Sequence, residues 1–393
     1  MLNTSFSPWP SYTAEEIHAV QAVLSSNRVN YWTGDVCREF ERRFASWADS
    51  EFAVALANGT VALDVALKAL GVGPGDEVIT TSRTFLASAS CIVTAGATPI
   101  FADVDPDSQN ITADTIAPMI TDRTKAIICV HLAGMPCDMD PIMSLAQRYG
   151  LKVIEDCAQA HGATYRGKSV GSIGHIGAWS FCQDKIMTTG GEGGMVTTSD
   201  RALWSFMWSY KDHGKSWEAV YERSHPPGPR LVHDTFGTNW RMIEMQAAIG
   251  LVQLGLMESW SARRTWIAAE LRAACEPFSD IVRVPVPADE VVHGWYRFYA
   301  FVRPDRLADG WTRDRVIDEI VATGVPCFHG SASEIYLEGA FDGTGWRPRQ
   351  RLPVARQLGE TSLAFLVHPT LTDEEVSKTC AAISSVLASA RRA

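Results

Sequence analysis

An α/β fold with a largely parallel sheet is what this chain predicts, on three observations. Between residues 50 and 200, short β-like runs alternate with helical segments, the pattern of strands covered by crossover helices. After about residue 280 the text changes to one strand-like run among amphipathic helices, which reads as a smaller α+β domain. The 393 residues are 46% hydrophobic and 20% charged, enough apolar material for a sizeable core and too much for a disordered chain. The division expected is a large domain over 1–255 and a small one over 256–393.

The strand-like runs are EFAVALA (51–57), DEVITT (76–81), TPIFADV (98–104), KAIICVHL (125–132), LKVIEDCA (151–158), GAWSFC (177–182) and GGMVTTS (193–199). Helices are expected over Thr60–Leu70, Leu86–Ala95 and Asp138–Tyr149. In the last, Ile142, Leu145, Ala146 and Tyr149 share one face. Residues 200–224 and 241–275 also read as helices. The loop SHPPGPRLVHDTFGTNW (224–240) between them is long and rich in Pro and Gly, a functional or mobile type. VHGWYRFYAFV (292–302) reads as a strand and WTRDRVIDEIVATG (311–324) as a helix with Gly324 at its C-cap. LTDEEVSKTCAAISSVL (371–387) is a closing helix, with Thr372 and Glu375 spaced as a capping box.

A formal net charge of −10 argues against nucleic acid and anionic membrane surfaces as partners, but not against a small anionic ligand. The opening MLNTSFSPWPSY lacks the basic and apolar regions of a secretory signal. No window approaches the roughly 20 apolar residues of a membrane span. Nine cysteines form no CxxC pair, which fits reduced thiols in a cytoplasm. The ten histidines show no HExxH spacing, so no metal is expected.

Ligands of α/β sheets bind beyond the carboxyl ends of strands, so the loops there carry the candidates. Asn58-Gly59-Thr60 stands at a helix start, either an ordinary N-cap or an anion site built on free N–H groups. Glu155 and Asp156 end an apolar strand, and alternation turns one of them inward. Gln159 and His161 follow; His161 reads first as a core histidine. Lys185 lies between a strand and the glycine turn TTGGEGG. A nucleophilic lysine needs a neutral fraction, supplied by burial or cationic neighbours. Pyridoxal phosphate (PLP) would use such an amine, and would need an acid for its ring nitrogen, a phosphate cradle and a flat ring partner. Asp156 suits the first need, Gly59, Thr60 and Ser180 the second, Phe85 the third.

ANGTVAL, TFLASAS, VIEDCAQAHGA, SFCQDKIMTTGGEGGMV and GTNWRMIEMQAAIG together resemble the ordered motifs of the DegT/StrS family, PLP-dependent sugar aminotransferases of fold type I. The resemblance runs from about residue 8 to 385. It implies Lys185 as the Schiff-base lysine, Asp156 at the ring nitrogen and Gln159 near the ring oxygen. It further implies Phe85 stacked on the ring, and Gly59, Thr60 and Ser180 at the phosphate. Asn239 would reach the phosphate of a neighbouring subunit, making a homodimer with shared sites. Relatives with histidine at the lysine position are dehydratases, and Lys185 argues against that branch. The run TTGGEGG has one more glycine than many relatives.

The reaction so implied is ping-pong transfer of an amine from an amino acid, glutamate in most of the family, to a nucleotide-linked keto-deoxy sugar for surface-glycan biosynthesis. The whole-chain pattern is most similar to enzymes aminating C4 of UDP-2-acetamido-2,6-dideoxy-4-ketohexose. A dTDP- or GDP-linked keto sugar, a keto-cyclitol and a non-catalytic regulatory relative are the alternatives. Trp32 in NYWTG is a candidate for the sugar pocket, or a packed aromatic. Lys211, His213, Lys215 and Arg230 are candidates for a diphosphate, or solvated loop charge. His329, Ser331 and Ser333 are candidates for sugar or diphosphate, or members of a hydrogen-bonded loop.

Overall fold

The computed structural model describes residues 4–392. Seven strands form the main sheet: Phe52–Leu56, Glu77–Thr81, Thr98–Ala102, Thr124–Val130, Lys152–Asp156, Ile176–Ser180 and Gly194–Thr198. Each lies on one of the seven runs expected from the sequence. Across the sheet their order is 52–56, 194–198, 176–180, 152–156, 124–130, 77–81, 98–102. Neighbours from 176–180 to 98–102 are parallel, while 194–198 runs antiparallel to both strands beside it.

Strand alternation feeds two cores. Ile128 and Ile154 pack with Leu63 and Ala66 of helix Gly59–Ala69 and with Ile92 of helix Ala87–Thr94. Ile127, Cys129 and Val153 face the other way, onto Ile142 and Ala146 of helix Met139–Tyr149. Both faces are therefore dry, which is why these strands read as continuous apolar runs rather than alternating ones.

A second sheet, Val282–Arg283, Phe298–Val302 and Ser362–Phe365, is antiparallel and carries the small-domain core with helices Arg313–Ala322 and Asp373–Ala390. The capping box at the last helix is present: Glu375 N donates to Thr372 Oγ1 at 3.2 Å and Thr372 N to Glu375 Oε2 at 2.8 Å. Helix Glu244–Cys275 runs through both parts. Ala247, Leu254 and Met257 pack in the large-domain core, whereas Ile267, Ala268, Leu271 and Cys275 pack in the small-domain core. The division expected at residue 255 falls inside this helix.

Two elements differ from their sequence reading. The helix expected over 200–224 is two, Arg201–Tyr210 and Trp217–Tyr221, because His213 (φ 58) and Gly214 (φ 79) reverse the chain between them. A side chain on Gly214 would collide with the Thr235 carbonyl, so the 224–240 loop folds back onto this turn. The strand expected over 292–302 is interrupted at Trp295 (φ 50): Val291–Val292 pairs with Thr164–Tyr165, and only Phe298–Val302 joins the small sheet.

Candidate active site

A cavity of about 870 Å³ opens at the carboxyl ends of the parallel strands. Gly59, Thr60, Phe85, Asp156, Gln159, Ser180, Lys185 and Ser331 all line it. Residues far apart in the text are thus gathered by the sheet at one place.

One end of the cavity is a helix start. Asn58 caps helix Gly59–Ala69, its Oδ1 accepting from Val61 N at 3.0 Å. The N–H groups of Gly59 and Thr60 have no acceptor within the helix. Two glycines allow the approach: a Cβ on Gly59 would lie 2.9 Å from Ser180 Oγ, and one on Gly194 would lie 2.2 Å from the Asn58 carbonyl oxygen. The outcome is a turn of N–H groups beside a serine hydroxyl, positioned for an anion.

Asp156 is buried at the floor. Its Oδ2 accepts from Ser88 Oγ at 2.8 Å and its Oδ1 from Ala158 N at 3.1 Å. Burial pushes the carboxyl up, more than Ser88, Ala158 and the Lys185 charge pull it down. A carboxyl of this kind suits a partner that brings its own N–H. Glu155 points the other way, into the interior. It accepts from His131 Nε2 at 3.0 Å and from the N–H groups of Gly171, Ile173 and Gly174. Burial raises it, but His131 and these N–H groups outweigh burial and hold it below the usual carboxylate range. Gln159 accepts from Ala133 N at 2.8 Å through Oε1, which leaves its NH₂ for the cavity. Phe85 is 69% exposed although it is a large apolar ring, and it stands in the cavity wall.

Lys185 has a side chain only 15% exposed, with Nζ 4.0 Å from Asp184 Oδ1 and 5.3 Å from the centre of the Tyr296 ring. Burial lowers its proton affinity, but Tyr296, Asp184 and Asp156 raise it further, so the net direction is up. Burial, one of the two sources of a neutral amine considered from the sequence, is outweighed here by the acids around Lys185. The glycine turn after it also has a reason. Gly190 (φ 86) and Gly191 (φ 116) both adopt left-handed backbone, which the two adjacent glycines permit without strain.

The sequence profile of the DegT/DnrJ/EryC1/StrS aminotransferase family matches residues 10–384. The chain belongs to this family. A GDP-perosamine synthase from Caulobacter vibrioides is 39% identical over 365 residues, 91% of this chain and 92% of the relative. An aminotransferase of known structure from Psychrobacter cryohalolentis is 61% identical, with a TM-score of 0.97 over 98% of this chain and 99% of that one. The PLP form of Spr1654 from Streptococcus pneumoniae superposes with a TM-score of 0.84 at 26% identity, covering 98% and 99% of the two chains. This member of the DegT/DnrJ/EryC1/StrS family is a PLP-dependent sugar aminotransferase, of fold type I. Its cavity suits the cofactor: an anion turn that a Cβ on Gly59 would fill, a buried carboxyl and a lysine all line it.

Other residues singled out from the sequence lie elsewhere. Lys211 is fully buried, 2.7 Å from Glu41 Oε1 and 3.9 Å above the Tyr31 ring. It cannot meet a diphosphate, and that expectation is corrected. Trp32 donates Nε1 to Asp212 Oδ2 at 2.5 Å and packs edge-on against Trp208, and it is not among the residues lining the cavity. Lys215 is tied to Asp212 at 2.8 Å. His213, Arg230 and Asn239 are exposed and lie outside the cavity; Arg230 donates to the Val220 carbonyl. His329 is exposed beside Asp314 at 3.4 Å. Ser331 reaches the cavity, its N–H donating to Tyr299 Oη at 2.7 Å, while Ser333 is buried and accepts from Arg83 at 2.8 Å.

Sequence reasoning missed Tyr296, Asp184, Ser88, Glu192 and Glu338, all in the cavity wall. Ser88 carried a faint signal, a hydroxyl in the first turn after Phe85. Tyr296 carried none, because it reaches the cavity only through the kink at Trp295.

Proposed function

We propose that the enzyme moves an amine from an amino acid, with glutamate as donor, onto a GDP-linked keto-deoxy sugar. The observation that carries amine transfer is Lys185 standing in one cavity with Asp156, Gln159 and the Gly59–Thr60 turn. Likeness over nine-tenths of the chain to a GDP-perosamine synthase favours GDP over the UDP-linked N-acetylated sugar expected from the sequence pattern.

PLP, when bound, supplies a carbonyl carbon that carries the amine and a ring that accepts electrons. Lys185 would hold it and would be the group that gives and takes a proton during transfer. Asp156 would keep a proton on the ring nitrogen. Gln159 would offer its NH₂ to the cofactor. Gly59, Thr60 and Ser180 would hold the phosphate, with Phe85 as the flat partner for the ring. In this reading Asn239 completes the phosphate site of a second copy, which accounts for the exposed loop around it: Leu231 is 82% and Phe236 99% exposed.

The test is a panel of GDP-, UDP- and dTDP-linked keto sugars and keto-cyclitols, each incubated with glutamate and followed by mass spectrometry. The expected product is an aminated GDP sugar. Efficient amination of the UDP sugars with none of the GDP sugars would reverse the choice of nucleotide.

A further inference from the structure

Asp184 and Tyr296 make a compact unit with Lys185. The Tyr296 hydroxyl donates to Asp184 Oδ2, and Asp184 Oδ1 is the carboxylate oxygen 4.0 Å from Lys185 Nζ. Asp184 precedes the lysine in the chain, whereas Tyr296 arrives from the small-domain side.

The backbone that delivers Tyr296 is strained and heavily fastened. Trp295 (φ 50) and Ala133 (φ 57) both adopt left-handed conformations that residues bearing a Cβ seldom take. Around them Gly294 N donates to Gly134 O at 2.8 Å and Tyr296 N to Ala133 O at 2.8 Å. Buried Arg264 donates to the Trp295 carbonyl at 3.1 Å. A Cβ on Gly134 would lie 2.7 Å from Trp295 N, so the two turns are in contact. Ala133 also donates to Gln159. One backbone junction therefore aims both Gln159 and Tyr296 into the cavity. Strain of this kind persists only where its surroundings over-determine it, and functional sites are where it gathers.

We propose that Asp184 and Tyr296 are positioning residues for Lys185: Tyr296 fixes the Asp184 carboxylate beside the lysine nitrogen, and that fixed charge stabilises the nitrogen in its protonated form. The proposal rests on Lys185 being the lysine that bears the cofactor. A charged nitrogen at that point favours attack by the incoming amine, and the same nitrogen must afterwards give and take a proton. The groups facing Lys185 are Asp184 and Cys182 from its own segment, Asp156 from the strand end, and Tyr296 from the small-domain side. Arg297, 4.5 Å over the Tyr296 ring, adds a positive charge that helps keep Asp184 ionised. His161 feels the lysine but is held neutral by burial. Asp156 is engaged by Ser88 and Ala158, which leaves Asp184 as the carboxylate aimed at Nζ. Burial raises Asp184, but Lys185, Tyr296 and Arg297 outweigh it and keep it below the usual carboxylate range.

The experiment is a pH titration of bound-PLP absorbance in the holoenzymes of wild type, Asp184→Asn, Asp184→Glu and Tyr296→Phe, with kcat and KM measured across the same range. In Asp184→Asn the midpoint falls by about one pH unit or more, as expected on losing an opposite charge at this distance, and the alkaline limb of kcat/KM moves with it. Tyr296→Phe shifts the midpoint in the same direction by less, and Asp184→Glu restores it. An unmoved midpoint in PLP-loaded Asp184→Asn overturns the proposal. Should that variant fail to fold, an unmoved midpoint in Tyr296→Phe overturns it instead. Lys185→Ala separates the underlying reading: if that variant keeps the wild-type titration, the lysine assignment itself fails.

Discussion

A Cβ placed on Gly59 would stand 2.5 Å from the Cβ of Ser180, so the helix start and the strand end meet with no room for a side chain. Gly59→Ala forces them apart at an overpacking cost to the fold of about 1–3 kcal/mol, and the displaced turn is expected to retain PLP more weakly. Equilibrium dialysis against PLP measures it. Retention equal to wild type would remove the anion turn from the cofactor site.

Lys185→Ala is expected to abolish turnover while the protein stays folded, and Asn239→Ala to weaken PLP retention. If Asn239 completes the site of a second copy, as proposed, mixing the two variants places intact Lys185 opposite intact Asn239 in some hybrid dimers. Partial recovery of activity in the mixture is the expected result. No recovery, with hybrids demonstrated by native mass spectrometry, contradicts a site shared between copies.

Lys211 and Glu41 are a buried pair, and Glu41 also accepts from Tyr31 Oη at 3.0 Å and Ala55 N at 2.9 Å. Lys211→Met leaves the carboxylate without its counter-charge and is expected to cost about 3–5 kcal/mol. Adding Glu41→Gln recovers part of the loss. Thermal denaturation of the two variants checks the order. If Lys211 instead served a diphosphate, stability would stay near wild type and KM for the sugar nucleotide would rise.

His161 and His368 are buried, and burial lowers both to about 3 from an ordinary value of 6.5. Their folded values lie below the unfolded one, so the neutral form is the stable one in the fold. That stability is intact above pH 6.5 and is lost as pH falls from 6.5 toward 3, at up to about 1.4 kcal/mol per pH unit for each group. His161 packs against Trp179 and Phe181, and neither ring nitrogen has a hydrogen-bond partner among the described residues. His161→Phe should therefore be neutral or stabilising at pH 7.5 and flatten the acid limb of a melting-temperature profile. An acid limb identical to wild type would clear His161 of the effect.

The parallel sheet was legible because its strands are buried on both faces and stand between amphipathic helices. Lys185, Asp156, Gln159 and Gly59 were legible because each ends a strand or starts a helix, where chemistry in such sheets collects. What stayed hidden depended on side-chain destinations. Nothing in YKDHGKS distinguishes Lys211, sealed against Glu41, from His213, two residues on and exposed. Trp32 is held by Asp212, a contact across the chain with no local signature. Tyr296 reaches Lys185 only because Trp295 takes a left-handed turn that no propensity argument would assign to tryptophan.

The 32-residue helix Glu244–Cys275 has a mechanical consequence. At about 1.5 Å per residue it is a beam roughly 48 Å long, clamped in one core at its start and in another at its end. It contains no proline to serve as a hinge. A jaw-like swing of one half against the other would have to bend this beam and break packing at both clamps. Access for the sugar substrate is then expected from the loops around the cavity mouth rather than from a swing of one half against the other.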